Sequence, residues 1–156
     1  MRTRLVFIII GSKQQLSKLN EFSIRVGSTD VFPVNTVRNL GSRFDSNLSM
    51  SMHINKLCST AFFHLHNIRR IRKYLYQKCL LTFVHAFIAR RLDYCDSLLY
   101  RLPNTEISKL QGVQNAAARL FTFSSKISYV TSVLYELHWL PVRFRISFFK
   151  DTFNPF

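Results

Sequence analysis

Two aspartates three residues apart, Asp93 and Asp96 in "LDYCDS", are the closest local carboxylate pair in the chain. Such a pair could do phosphoryl transfer, because two-metal chemistry needs carboxylates that clamp ions about 4 Å apart. One helical turn separates them, so both can point to one side of a helix. Arg90 and Arg91 sit one turn earlier, and the group reads as i,i+3 ion pairs rather than as a metal site. Cys58 with His53, His64 and His66 is the other cluster of ligand types. Its spacing fits no common zinc pattern. His85 lies in an apolar run and reads as a core histidine, not a general base. Tyr129 and Trp139 read as packing residues. The chain holds no Gly-rich phosphate loop and no Gly-x-Ser-x-Gly elbow. No catalytic residue and no metal ligand is therefore assigned.

The stronger signal is charge. The chain has 156 residues and a formal net charge of +14. After Asp45 the next acid is Asp93, and between them lie Lys56, Arg69, Arg70, Arg72, Lys73, Lys78, Arg90 and Arg91. Eight cations without an acid, in an otherwise apolar stretch, suit a polyanion. Phosphate backbones and anionic membrane surfaces are the two candidates, against a merely solvated basic face. Cys58, Cys79 and Cys95 are widely spaced and form no Cys-x-x-Cys. They read as small apolar side chains in a reduced, intracellular protein. "LVFIII", residues 5–10, is too short to span a bilayer, which takes about 20 residues, or to be a typical signal-peptide core. It reads as a buried strand.

The elements that must position these residues fall into two parts. With 47% hydrophobic residues the chain has the material for an ordered core. As a prior, this length means one domain, burying roughly two thirds of its unfolded surface. Residues 1–46 read as a β region. "KQQLSKLN" is a short helix or loop, and "FSIRV" and "TDVFPV" form a hairpin around Gly27-Ser28. "TVRNLGSRFD" is a third extended piece with Gly41 in its middle. There Gly41, carrying Arg38 and Arg43 beside it, is either a bulge at a sheet edge or a close approach to a nucleic-acid strand.

Residues 47–150 read as helical. Asn47 or Ser49 is a candidate cap. Ile54, Leu57, Ala61, Leu65, Ile68, Ile71 and Leu75 step by three or four as one stripe. Arg69, Arg70, Arg72 and Lys73 fall mainly on the other side. A second helix, about Gln77 to Leu99, is apolar over a wide arc and is expected to be central. Arg101-Leu102-Pro103-Asn104 breaks it. A third starts near Thr105, with Glu106 in its first turn and an inner face of Ile107, Leu110, Val113, Ala117 and Leu120. "TFSSKIS" is a loop, residues 132–138 a short helix, and Pro141 opens the last helix. Residues 151–156 read as a disordered tail. The expected class is α+β, a short hairpin or sheet edge followed by a bundle of three to five helices.

Four blocks occur in order: "VRNLGSRFDSNLSMSMHINKLCSTAFFHLHNIRRIRKYL", "FVHAFIARRLDYCDSLLYRLP", "KLQGVQNAAARL" and "LHWLPVRFRISF". Together they resemble the segment after the palm in reverse transcriptases of LINE-type non-LTR retrotransposons. "LVFIIIGSKQQLSKLN" is similar to the last palm strand and the turn after it. The resemblance covers about residues 4–149, and its glutamine-rich and Leu-His-Trp-Leu-Pro strings are specific.

The resemblance implies an RNA-directed DNA polymerase that uses Mg2+ in its intact form. It implies a primer-grip hairpin at Leu40 and Gly41, and a thumb lying along the template–primer duplex. Arg38, Lys56, Arg69, Arg70, Arg72 and Lys73 are then candidate nucleic-acid contacts. The family's catalytic box, an aromatic residue, Ala and two Asp, is expected upstream of residue 1, and "LDYCDS" is not that box. The ending "DTFNPF" departs from the family's continuing helix and reads as a frameshift or early stop. The expected function is a non-catalytic, nucleic-acid-binding fragment without a cofactor of its own. The alternatives are a basic helical module for a protein or anionic membrane, and a decayed product without function.

Overall fold

The computed structural model describes residues 5–19, 22–39, 41–94, 99–100, 102–122 and 129–153, the side chains of 149–153 excepted. The chain is α+β and mostly helical. It divides into two compact units, residues 1–53 and 54–156.

In the first unit, Ser12 caps a single turn, α1 (Lys13–Leu16), in a capping box with Gln15. Two antiparallel hairpins follow, each its own two-stranded sheet: β1 (Ile24–Val26) with β2 (Thr29–Val31), and β3 (Thr36–Asn39) with β4 (Ser42–Asp45). Gly27 turns the first at φ +63° and Gly41 the second at φ +88°, backbone that L side chains rarely adopt. The expected Gly27-Ser28 hairpin is present. "TVRNLGSRFD", which its pattern reads as one extended piece, folds back on itself with Gly41 in the turn and not at a bulge, so a hairpin stands where the resemblance expects one.

The buried strand expected at residues 5–10 is absent. That segment has no regular secondary structure, and Leu5, Val6 and Ile10 are exposed. Of its bonds to the loops around the second hairpin, the Phe7 carbonyl accepts from the Val34 N–H at 3.0 Å. Beside it, the Gly11 N–H donates to the Ser46 carbonyl at 3.0 Å. β-branched residues favour extended backbone, but a strand also needs a partner along its length.

The second unit is built on a long helix, α2 (Ser51–Ile71), which begins at the end of the first unit. A 3₁₀ turn (Arg72–Tyr74) ends it. Then comes a rod of α3 (Gln77–Val84), a π turn (His85–Ala89) and α4 (Arg90–Asp93). The remaining helices are α5 (Asn104–Thr122), α6 (Val130–Glu136) and α7 (Val142–Phe153). The last runs three residues into the segment expected as a tail. Residues 123–128, most of the expected "TFSSKIS" loop, lie outside the described residues, as do Cys95, Asp96 and Leu98.

Of the expected stripe of α2, Ile54, Ala61, Leu65 and Ile68 are buried and Leu57 is half-buried, its neighbour Cys58 taking the buried place. The stripe stops at Ile68: Ile71 is exposed and Leu75 lies past the end of the 3₁₀ turn. On the rod, Leu80, Val84, Ile88 and Leu92 are all buried. Steps of four overshoot an α-helical turn by about 40° each, so three steps would carry the seam off its neighbour. The wider π turn takes up that overshoot. Its defining bond runs from the Arg90 N–H to the His85 carbonyl, five residues back.

The rod is not the central element. That place belongs to α5, which packs against α3, the π turn, α6 and α7. Leu110, Val113, Ala117 and Ala118 of α5 are wholly buried. Buried Gln114 donates from Nε2 to the Leu140 carbonyl at 2.9 Å, and its Oε1 accepts from Gln111 Nε2 at 2.9 Å. Gln111 Oε1 accepts from the Val142 N–H at 2.9 Å. The two specific strings of the sequence are thus joined by side-chain amides. α6 ends with His138 at φ +53°, the Trp139 N–H on the Leu134 carbonyl and the His138 N–H on the Tyr135 carbonyl. This double closure places Trp139 against Val133 and Leu134.

Candidate nucleic-acid interface

Lys56, Arg69, Arg70 and Lys73 are all exposed. Lys56, Arg69 and Arg70 lie on α2 outside its buried stripe, because they fall at other angles of the same 100° rotation. Lys73 follows on the 3₁₀ turn, where its Nζ sits 4.8 Å from the centre of the Tyr74 ring. Among the described residues, none of these four makes an ion pair. The reason is in the chain itself: residues 46–92 hold no acid.

Arg72 differs from its neighbours. Continued as an α-helix it would fall in line with Ile54, and in the 3₁₀ turn it is half-buried rather than displayed on the outer face. Burial, and then the Arg69 guanidinium, lower its pKa. It still carries its charge, as arginine does in proteins.

In the first unit, Arg38 and Arg43 stand opposite each other across β3 and β4, and both are exposed. Like charges in cross-strand register destabilise a hairpin. The other hairpin has the complementary pairing, Arg25 opposite Asp30. Gly41 makes the turn next to the arginine pair, while Leu40 lies outside the described residues. Sequence reasoning placed Arg38, Arg43 and Gly41 together, and the register brings the two arginines side by side.

Asp45 and His53 were missed as structural residues. The Asp45 carboxylate accepts from the N–H groups of Ser49 and Met50 at 3.1 Å each, at the approach to α2. Burial raises its pKa, but bonds from the Ser49 hydroxyl and these backbone groups outweigh it, and the net shift is downward. The signal was an acid a few residues before a helix start. Ser49, one of the two expected caps, contributes its hydroxyl to the Ser51 N–H at 3.4 Å. Buried His53 accepts from the Arg43 N–H through Nδ1 at 3.3 Å, which fixes a neutral ring with its proton on Nε2. Burial lowers its pKa.

The chemistry-bearing residues elsewhere resolve otherwise than expected. Asp93 pairs with Arg145 of α7 at 2.6 Å, not with Arg90 or Arg91 one turn away. His85 is exposed and meets Trp139 edge-on at 5.8 Å, so it is no core histidine. Trp139 packs, but Tyr129 is exposed. Cys58 is buried, and burial raises its thiol pKa, with Lys109 acting against this and Glu106 with it. Cys79 is exposed, contrary to an apolar packing role. A cavity of about 420 Å³ opens between the rod, α5 and α7, lined by Val84, Ile88, Leu92, Ala117, Trp139 and Phe148 among others. It offers apolar space with the Asp93–Arg145 pair beside it, not an acid–base pair.

Among the described residues no three of His, Cys, Asp and Glu converge to hold a metal ion. Asp93 is already held by Arg145, and Asp96 lies outside the described residues, so the described residues hold no carboxylate pair that fits the Mg2+ site of a polymerase. No helix, among the described residues, is long and apolar enough to cross a membrane. Comparison of the chain with protein-family models, with curated proteins and with solved structures gave no match.

Proposed function

We propose that this chain binds nucleic acid through phosphate contacts and does no bond-making chemistry of its own. The observation that carries the reading is the set of exposed cations on α2 and the turn after it, Lys56, Arg69, Arg70 and Lys73, in a stretch without acids. Cations that no internal carboxylate neutralises gain most from a polyanion, because binding releases the counterions condensed on it. The Arg38–Arg43 pair supports the same reading independently, since a phosphate relieves the repulsion between them. The resemblance to the thumb and primer grip of LINE-type reverse transcriptases gives the partner its form, an RNA–DNA template–primer duplex. Arg38, Leu40 and Gly41 would then meet the primer strand, with Arg72 a lesser contact than its neighbours. The polymerase carboxylates and their Mg2+ belong, on this reading, to residues outside this sequence.

The test is binding of a labelled RNA–DNA duplex over a range of salt. The wild-type chain should bind with an affinity that falls steeply as salt rises. Replacing Lys56, Arg69, Arg70 and Lys73 together by Gln should weaken binding regardless of sequence. The slope of log affinity against log salt should flatten by about one for each phosphate left without its cation. Unchanged affinity at fixed salt would remove the basic face from the mechanism.

A further inference from the structure

A row of aromatic rings crosses from α2 to the rod. His64 of α2 lies nearly parallel to Phe87 of the π turn, centroids 5.0 Å apart and planes at 24°. Phe87 in turn lies nearly parallel to Phe83 of α3, at 6.1 Å and 14°. Phe63 meets the His64 ring edge-on at 5.6 Å. Rings packed only to fill a core would be covered. Here Phe63 is 62% exposed and Phe87 36% exposed.

Their setting on α2 decides what they can receive. Lys56 and Arg70 lie seven residues before and after Phe63, which puts all three on one line of the helix, about 10 Å apart along its axis. A cation, an aromatic face and a cation in sequence match a strand whose bases stack while its phosphates pass on either side. A duplex cannot use such faces, because its bases are already stacked on one another. A membrane surface would need a continuous apolar stripe turned outward. The apolar stripe of α2 is buried, and the line through Phe63 is interrupted by polar residues, Met52 at its start being followed by Lys56 and Ser59, and Phe63 by Asn67 and Arg70.

We infer that Phe63, braced edge-on by the His64–Phe87–Phe83 stack, offers its ring face to unpaired bases of a single-stranded nucleic acid whose phosphates are held by Lys56 and Arg70. This rests on the nucleic-acid reading above and adds to it a second ligand form and the residues that distinguish it. The interaction is tolerant of sequence, because every base presents a π face.

The experiment measures binding of a labelled single-stranded oligonucleotide, of the RNA–DNA duplex and of anionic phosphatidylserine vesicles in parallel. The double variant F63L/F87L keeps apolar volume and removes the Phe63 face together with the middle ring of the stack that braces it. The variant F63W keeps a face. We expect F63L/F87L to bind the single strand about tenfold more weakly, with its salt slope and its duplex affinity unchanged. F63W should bind the single strand at least as well as the wild type. The inference is overturned if F63L/F87L binds the single strand like the wild type, if single strand and duplex weaken equally, if F63W behaves like F63L/F87L, or if only vesicle binding falls. The two readings fail separately. Duplex binding that depends on the cations but not on the rings sinks the platform alone. Single-strand binding that depends on the rings, without any duplex binding, sinks the duplex reading alone.

Discussion

The hairpins at residues 24–45 and the helical unit at residues 54–156 show opposite relations between pattern and burial. In the helical unit the apolar stripes are inside: Ile54 and Ala61 of α2 and Leu110 and Val113 of α5 are wholly buried. In the unit of residues 1–53, Met50 is the one apolar residue buried among those described, and Ile24, Val26 and Phe32 stand exposed. The difference follows from geometry. A helix satisfies its own backbone and needs only one stripe covered. A two-stranded hairpin leaves both outer edges and one or both faces open, and alone is marginal in water. The helical unit carries its own core, whereas the hairpins leave Ile24, Val26 and Phe32 on open surface.

The largest expected effect tests the independence of that core. Leu110→Ala, at the buried centre of α5, should cost about 2–5 kcal/mol, read as a lowered denaturation midpoint. Amide exchange over residues 24–45 should stay as it was. If exchange in the hairpins accelerates in step with that in α5, the two regions unfold as one and the contrast fails.

A middle-sized effect tests the amide clamp. Gln114→Leu leaves the Leu140 carbonyl without its donor and should cost about 1–3 kcal/mol. The first exchange to quicken should be at Val142, whose N–H is held by Gln111 next to the missing amide.

Smaller still is Gly27→Ala. A Cβ there meets nothing within 4 Å, so the expected penalty is that of φ +63° for an L residue, about 1 kcal/mol. It should loosen β1 and β2 and leave the helical unit untouched.

The smallest effect is a pH dependence confined to the first unit. A depressed histidine pKa means that the unfolded chain binds the proton more readily. The contribution of His53 is thus complete above its unfolded pKa of about 6.5 and is lost as pH falls through the lower folded value. Asp45 follows the same direction further down, from its unfolded value of about 3.9 through its lower folded one. Protection of the Arg43 N–H should therefore weaken first on mild acidification, and protection of the Ser49 and Met50 N–H groups only in stronger acid. His53→Gln should abolish the first step and keep the second.

What the sequence disclosed tracks how local the physics is. The stripe of α2, the start of α5 within a residue of Thr105, and the turn at Gly27 depend on near neighbours, and all were legible. Long-range choices were not. "LVFIII" has the composition of a strand, but no neighbour pairs with it along its length. Asp93 had two arginines one turn away and takes the one on α7 instead. Nothing in the spacing of Gln111 and Gln114 announces bonds to residues 140 and 142. In the candidate interface, exposure of Lys56, Arg69 and Arg70 could be reasoned from helix rotation. The inward turn of Arg72 follows from the same rotation, which puts it in line with Ile54, although the sequence reading grouped it with the outer cations. The stacked rings were hidden because Phe83 and Phe87 meet His64 only through tertiary packing.

The π turn has one more implication, for insertions and deletions. Val84 and Leu92 are eight residues apart yet share a buried seam, which an ordinary helix achieves with seven. One residue between His85 and Ala89 is therefore surplus to the winding. A version of this chain lacking it would close into uninterrupted α-helix and still turn Leu80, Val84 and the counterpart of Leu92 toward α5. This rod can change length by a single residue, at that place, without re-facing either of its ends.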